Sequence, residues 1–228
     1  MTFPLNQIVL GDCCQAMQQL GAASVDFILT DPPYLVGYRD RENRIVPGDT
    51  DGAWLKPAFH QMFRVLKPDS LFVSFYGWSK VDQFFHAWKT AGLRVVGHIT
   101  FPKRYTSTTR LMRYQHEGAY LLAKGYPKQP QHLIGDVVEF AYSGNKLHPT
   151  QKPISILTPL IESFCPPRGV VLDPFAGSGS TCIAARSVGR SYVGFEIDAA
   201  NFEAAKRRMY HYGAHLAELA NQRTALTA

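Results

Sequence analysis

Long apolar runs are missing from this chain. No stretch approaches the length of a membrane span, and Met1-Thr2-Phe3-Pro4 does not open a signal peptide, so no membrane association is expected. Cysteine is scarce as well. Cys13, Cys14, Cys165 and Cys182 show no paired ligand spacing, which argues against a zinc site or a disulfide framework. The expectation is no metal, reduced thiols and a cytoplasmic protein. Charged residues make up only 18% of the chain while 46% is apolar, a balance that argues against disorder. Internal repeats and low-complexity segments are absent too. The 228 residues suffice for one full-sized core, read here as a single domain over residues 1–228. Acidic residues are outnumbered, giving a formal charge of +6 and a pI near 9.2. That excess favours a polyanionic partner only modestly.

What is present is an alternation of short apolar strands and amphipathic helices, the pattern of an α/β fold. Strands are expected at residues 8–10, 25–30, 71–75, 93–101 and 119–123, then up to Leu172 and over 191–195. The fourth and fifth read as an antiparallel pair at the sheet edge. Leu55, Phe59, Met62 and Leu66 line one helix face after Asp51, a candidate cap. Ser79 is expected to cap the next helix, whose Val81, Phe84, Phe85 and Trp88 form an apolar stripe that reads as core. Pro159 stands inside the helix that buries Leu157, Leu160, Ile161 and Phe164, and should kink it or delay its start. Asp198 caps the closing helix, with Phe202, Ala205, Met209 and Tyr212 inward. Residues 37–52 form a long polar loop, either a lid or a loose connector. Residues 124–147 lose all periodicity.

Two segments carry chemistry. In Val170-Val171-Leu172-Asp173-Pro174-Phe175-Ala176-Gly177-Ser178-Gly179-Ser180-Thr181, a strand meets a glycine turn and then a helix, and Glu196 ends the following strand. This is the layout of a nucleoside-binding βαβ unit. Gly177 and Gly179 permit close backbone approach, the helix N-terminus offers free N–H groups, and a carboxylate at Glu196 suits ribose hydroxyls. A turn that merely closes a strand–helix corner is the alternative. A dinucleotide fits less well, because Cys182 stands where that fingerprint has its third glycine.

The second segment is Asp31-Pro32-Pro33-Tyr34, which ends the apolar run 25–30. Neither proline can donate to a ladder, so the strand stops there. A carboxylate, a rigid turn and an aromatic ring are thereby fixed at a strand's carboxyl end, where ligands sit in doubly wound sheets. An exocyclic aromatic amine is a poor nucleophile because its lone pair is delocalised into the ring. Acceptors for both of its N–H groups, here Asp31 and the Pro32 carbonyl, shift it toward tetrahedral geometry and localise that pair. Tyr34 offers a ring on which a base can stack. The alternative is a strand-terminating Asp-Pro turn with an incidental Tyr.

Taken with His148-Pro149-Thr150-Gln151-Lys152-Pro153, and in this order, these motifs resemble the β-type amino DNA methyltransferases. Gly11-Asp12-Cys13 and His116-Glu117 add to the likeness, which extends from about residue 7 to about 210. The resemblance implies the S-adenosylmethionine-dependent methyltransferase (Rossmann-like) fold, with a seven-stranded mixed sheet of order 3-2-1-4-5-7-6 in circularly permuted form. It implies S-adenosylmethionine as cofactor. Asp12 and Cys13 would then hold its adenine, and Glu196, with Ile197 beside it, its ribose. Phe175, Ala176, Gly177, Ser178, Gly179 and Thr181 would surround the methionine part, with Thr150, Gln151 and Lys152 closing over it, and Asp31 and Asp173 would be further cofactor contacts. Lys152 would take the methionine carboxylate. Asp31, Pro32, Pro33 and Tyr34 would be catalytic. Asp in first place usually goes with N6-adenine methylation, and Ser or Thr with N4-cytosine, so adenine is expected and cytosine remains the alternative.

The implied partner is double-stranded DNA, from which the target base must be flipped. Arg39, Arg41, Lys103, Arg104, Arg110 and Arg113 are candidate phosphate contacts, interleaved with Tyr105 and Tyr114. A merely solvated basic face is the competing reading. Residues 102–147 would be a short, basic and irregular target-recognition region, small enough to suggest a relaxed target or a homodimer. The expected setting is the cytoplasm of a bacterial host, as a stand-alone enzyme of bacterial, phage or plasmid type. A cofactor-binding relative acting on RNA and a non-catalytic nucleic-acid-binding module with a residual pocket are the other readings.

Overall fold

The computed structural model describes residues 4–39, 45–108, 111–139 and 152–226. Seven strands form one sheet: β1 (Gln7–Leu10), β2 (Phe27–Thr30), β3 (Ser70–Phe75), β4 (Arg94–Thr108), β5 (Arg113–Lys124), β6 (Val170–Asp173) and β7 (Ser191–Glu196). Their spatial order is β1-β7-β6-β2-β3-β5-β4. The first five in that order pair in parallel, while β3–β5 and β5–β4 are antiparallel, so the sheet is mixed.

The strands inside the sheet are short and apolar on both faces because helices cover both faces. On one side α1 (Cys13–Met17), α2 (Leu55–Val65) and α3 (Val81–Ala91) pack Met17, Phe59, Met62, Phe84 and Trp88 against Ile28, Phe72, Leu172 and Phe195. On the other, α4 (Ile154–Phe164), α5 (Ser180–Ser187) and α6 (Ala199–Leu226) cover Phe27, Leu29, Val73, Phe75 and Val171. Neighbours on one strand, such as Phe27 and Ile28, thus enter different cores, as the two-residue period requires. Rings of Phe59, Phe72, Phe84 and Trp88 meet at centroid spacings between 5.8 and 6.4 Å, an aromatic centre for the first layer.

Local signals hold in part. Asp51 caps as expected, accepting from the Ala53 N–H at 2.8 Å, but the element it opens is a 3₁₀ turn, Gly52–Trp54, leading into α2. Asp198 accepts from the Asn201 N–H at 2.8 Å at the start of α6. Ser79 does not cap α3. It lies within a 3₁₀ turn, Trp78–Lys80, and the helix begins after Lys80 with no side-chain cap. Pro159 sits inside α4 without delaying its start at Ile154.

The edge pair departs most from expectation. The strands were expected at 93–101 and 119–123, yet β4 continues to Thr108 and β5 begins at Arg113. The basic segment is therefore the far part of a β-ribbon rather than an irregular loop. Tyr105, Thr106 and Thr108 there are strand-favouring residues, a signal outweighed by the proline and charges in the sequence pattern. Beyond β5, residues 136–138 run beside the outer edge of β4. The Thr100 N–H donates to the Asp136 carbonyl at 2.7 Å and the Val138 N–H to the Thr100 carbonyl at 2.9 Å, partly covering an otherwise open edge.

Candidate active site

The chain leaves β6 toward β7 on one side and β2 toward β3 on the other, so the order reverses between β6 and β2. A crevice opens at such a reversal outside the carboxyl ends of the strands. Asp173 ends β6 and Asp31 follows β2 directly, which sets the two chemistry-bearing segments side by side. A hydrogen bond from Thr30 Oγ1 to Asp173 Oδ1, 2.9 Å long and buried, ties them across the reversal.

Asp31 is held on both oxygens. Oδ1 accepts from the Tyr34 hydroxyl at 2.7 Å, and Oδ2 from Lys152 Nζ at 2.7 Å. Lys152 Nζ also lies 3.2 Å from the Tyr34 hydroxyl and 4.7 Å from the centre of the Phe75 ring. Its second counter-ion is Glu117 on β5, whose Oε2 is 3.0 Å away, while Glu117 Oε1 pairs with Lys103 on β4 at 2.7 Å. Burial alone would favour a neutral lysine, but Asp31 and Glu117 hold the Lys152 ammonium charged well above the ordinary range. Burial would likewise raise the Glu117 carboxyl, yet Lys152 and Lys103 hold it down to about 2. The Tyr34 hydroxyl is pushed up by burial and then by Asp31, so it remains a donor to the carboxylate.

Two expectations change here. Lys152 was expected at a methionine carboxylate, but in this structure its ammonium sits between Asp31 and Glu117, where the negative charge is concentrated. Lys103 was expected to contact phosphate, but its side chain is only 13% exposed and is paired with Glu117. Of the remaining basic candidates, Arg113 lies exposed at the start of β5 and Arg39 at an isolated bridge to Ile45. Arg104 belongs to β4. Arg41, Arg110, Thr150 and Gln151 lie outside the described residues.

The segment after the tetrapeptide is organised by a residue that the sequence reading did not single out. Asp49 is 3% exposed, and its carboxylate accepts from the N–H groups of Leu35 at 2.7 Å and Tyr38 at 2.6 Å. Leu35 takes φ +61°, a left-handed conformation that those bonds hold in place. The start of the polar loop is thus pinned, which weighs against a loose connector there. Gly77 packs on Tyr34 from the other side: a methyl at Gly77 would collide with the Tyr34 carbonyl.

The glycine turn forms the second half of the site. β1 and β7 are parallel neighbours with Leu10 opposite Glu196, so Asp12 and Glu196 lie at adjacent strand ends. The Glu196 carboxylate accepts from the Gly177 N–H at 2.7 Å and the Asp198 N–H at 2.8 Å. Its carboxyl is raised by burial, against those two bonds. Gly177 has φ +52°, and a side chain there would meet nothing within 4 Å, so the turn leaves an open cradle beside Glu196. Phe175 meets Trp54 edge-on at 4.8 Å, Ala176 is buried, and Ile197 is 54% exposed next to Glu196. Asp12 caps α1 through the Gln15 N–H at 2.9 Å, with Cys13 buried behind it. Arg208 of α6 binds the turn from below, 2.5 Å from the Ser178 carbonyl, 2.7 Å from its hydroxyl and 3.2 Å from Ser180 Oγ. Nothing in the sequence pattern pointed to Arg208.

A carboxylate beside a ring, facing an open glycine cradle across a strand-order reversal, can orient an amine next to a bound nucleoside. A family model described as DNA methylase matches residues 25–207, which include the tetrapeptide, Glu117, Lys152, the glycine turn and Glu196. The chain belongs to the DNA methylase family. It is 55% identical to the "Putative methylase YubD" of Escherichia coli (strain K12) over 193 residues, covering 85% of each chain. The crystal structure of the M1.HpyAVI–SAM complex is similar with a TM-score of 0.71 and 23% identity, covering 89% of this chain and 98% of that one. The PvuII DNA methyltransferase, cytosine-N4-specific, superposes with a TM-score of 0.74 at 15% identity, covering 90% of this chain and 86% of that one. At such identities the structural matches establish the fold. Among the described residues of the methylase, no group of His, Cys, Asp and Glu is placed to hold a metal, and no helix is long and apolar enough to cross a membrane.

Asp173 yields a pH prediction. Burial pushes its carboxyl up to about 7, against hydrogen bonds from Thr181, Thr30 and the Phe175 N–H and with help from the Asp31 charge. Because the folded value lies above the unfolded one, this group's contribution is complete below about pH 4 and is lost as pH rises through about 7. Urea unfolding at stepped pH should therefore show Asp173→Asn gaining on the wild type across that window, by on the order of 3 kcal/mol. A stability difference independent of pH would show that Asp173 is ionised throughout.

Proposed function

We propose that this protein is an S-adenosylmethionine-dependent DNA methyltransferase acting on the N6 amine of adenine. The observation that carries the reading is the fixed carboxylate of Asp31, held by Tyr34 and Lys152, beside the glycine cradle at the strand-order reversal. Numbering strands from the one that enters the glycine turn (β6 as 1, β7 as 2, β1 as 3, β2 to β4 as 4 to 6, β5 as 7) turns the observed order into 3-2-1-4-5-7-6. This supports a circularly permuted β-type chain. The whole chain would be one methyltransferase domain, and the β4–β5 ribbon with the residues after it the target-recognition region.

The donor set fits the cofactor. Glu196 supplies a buried carboxylate at a strand end, Asp12 a half-buried one at the adjacent strand end, and Gly177 an open approach beside Glu196. Asp12 and Cys13 would hold the adenine, Glu196 and Ile197 the ribose, and Asp173, Phe175 to Gly179 and Thr181 the rest, with Thr150 and Gln151 closing over it. When bound, S-adenosylmethionine supplies a methyl group on a positively charged sulfur, and this sulfur leaves as a neutral thioether. Asp31 and the Pro32 carbonyl accept the two N–H bonds of the target amine, which localises the nitrogen lone pair toward the methyl group. Transfer would form the nitrogen–carbon bond at the expense of the sulfonium's methyl bond, with one amine proton passing to solvent. Tyr34 both orients Asp31 and borders the space for an extruded base, while Pro32 and Pro33 fix the spacing.

The partner would be double-stranded DNA, in keeping with the +6 charge, gripped by the ribbon and by Arg39, Arg41, Arg104, Arg110 and Arg113. Cytoplasmic action in a bacterial host and pairing into a homodimer belong to the same proposal. N4-cytosine transfer is the second reading, favoured by the similarity in fold to a cytosine-N4-specific enzyme.

Incubation with labelled S-adenosylmethionine and unmethylated DNA, followed by nucleoside analysis, is expected to place the label in N6-methyladenine. Label in N4-methylcytosine would establish the second reading, and no transfer despite cofactor binding would indicate a non-catalytic binding module. For the cofactor side, Glu196→Ala should weaken S-adenosylmethionine binding by about tenfold or more in calorimetry. An unchanged Kd would remove Glu196 from the ribose.

A further inference from the structure

Glu117 has no role in the mechanism above, yet it is bonded into the centre of the site. It sits on β5 opposite Phe101 of β4, with its side chain 21% exposed. Lys103 takes Oε1 at 2.7 Å. Oε2 is buried and lies 3.0 Å from Lys152 Nζ in ion-pair contact, longer than the 2.7 Å from Lys152 to Asp31. The Lys152 ammonium is therefore divided: it donates hydrogen bonds to Asp31 Oδ2 and the Tyr34 hydroxyl while a second carboxylate pulls on it from β5.

We propose that Glu117 is a positioning residue for Asp31, drawing the Lys152 ammonium partly onto itself so that Asp31 keeps the acceptor strength a target amine requires. The proposal rests on the reading of this site as an amine-methylating centre. An ammonium paired with Asp31 alone would place its whole charge on that carboxylate, leaving a weaker acceptor for the N–H bonds that localise the lone pair. With Glu117 present, two carboxylates share one ammonium. Lys103 fixes the carboxylate plane of Glu117 by occupying its other oxygen, so the charge of Glu117 stays directed at Lys152. β5 is hydrogen-bonded to β3, and Gly77, just beyond β3, packs against Tyr34, so the support and the supported group share one rigid frame.

The test uses the full chain and three readouts. In Glu117→Gln, kcat for methyl transfer should fall about tenfold, while Kd for S-adenosylmethionine and for DNA stays within about twofold of wild type. In a Lys152→Met background the same substitution should change kcat by less than about twofold, because the ammonium it governs is gone. By NMR of ¹³C-labelled lysine, the Lys152 titration should move down by about one pH unit or more in Glu117→Gln. A merely structural Glu117 would multiply the loss in both backgrounds and leave the Lys152 titration in place, and either result overturns the proposal. Wild-type transfer with an unaffected Glu117→Gln sinks this inference alone, whereas a wild type that methylates no DNA sinks the reading of the site as well.

Discussion

One ammonium shared by two carboxylates organises the tetrapeptide half of this molecule. Lys152 precedes α4, Asp31 follows β2 and Glu117 belongs to β5, so the contact joins three separate parts of the chain at one sheet edge. Removing any of the three would leave an uncompensated charge in a half-buried place, which is far costlier than never having charges there. Such an arrangement is weak evidence for stability in itself. Its significance is geometric: a carboxylate with both oxygens bonded has one orientation, and an acceptor with one orientation can direct a lone pair.

The other half of the site is built from backbone N–H donors, the buried acid Glu196 and one guanidinium. Glu196 is bonded by the N–H of Gly177, in the turn it faces, and Arg208 grips the same turn through Ser178 and Ser180. The turn is thus set before any ligand arrives, which lowers the ordering cost of binding. Thr30 and Asp173 then link the two halves through the sheet's interior, so the cradle and the tetrapeptide are parts of one rigid edge.

Much of this was legible in the sequence where the signal is local. Apolar runs ending at Asp31 and Asp173 marked strands, glycines at 177 and 179 marked the turn, and all seven strands were foreseen. What could not be read was which distant charges meet. Lys152 was expected at the cofactor and Glu117 only as part of a strand-end motif, and nothing local joined them; the antiparallel insertion of β5 beside β3 brings Glu117 to Lys152. Asp49 and Arg208 escaped for the same reason, because a carboxylate that caps a loop's backbone and an arginine under a turn leave no periodic trace. The ribbon was shortened in the reading because its basic residues and Pro102 resemble a loop, although cross-strand pairing carries the strands on past them.

The central claim is that the Asp31 carboxylate activates the target amine. Single-turnover methyl transfer by Asp31→Ala, alongside its Kd for S-adenosylmethionine, tests it most directly. The rate should fall by about a thousandfold or more while the Kd stays within a few-fold of wild type. A variant that binds the cofactor normally and keeps more than about a tenth of the wild-type rate would contradict the account.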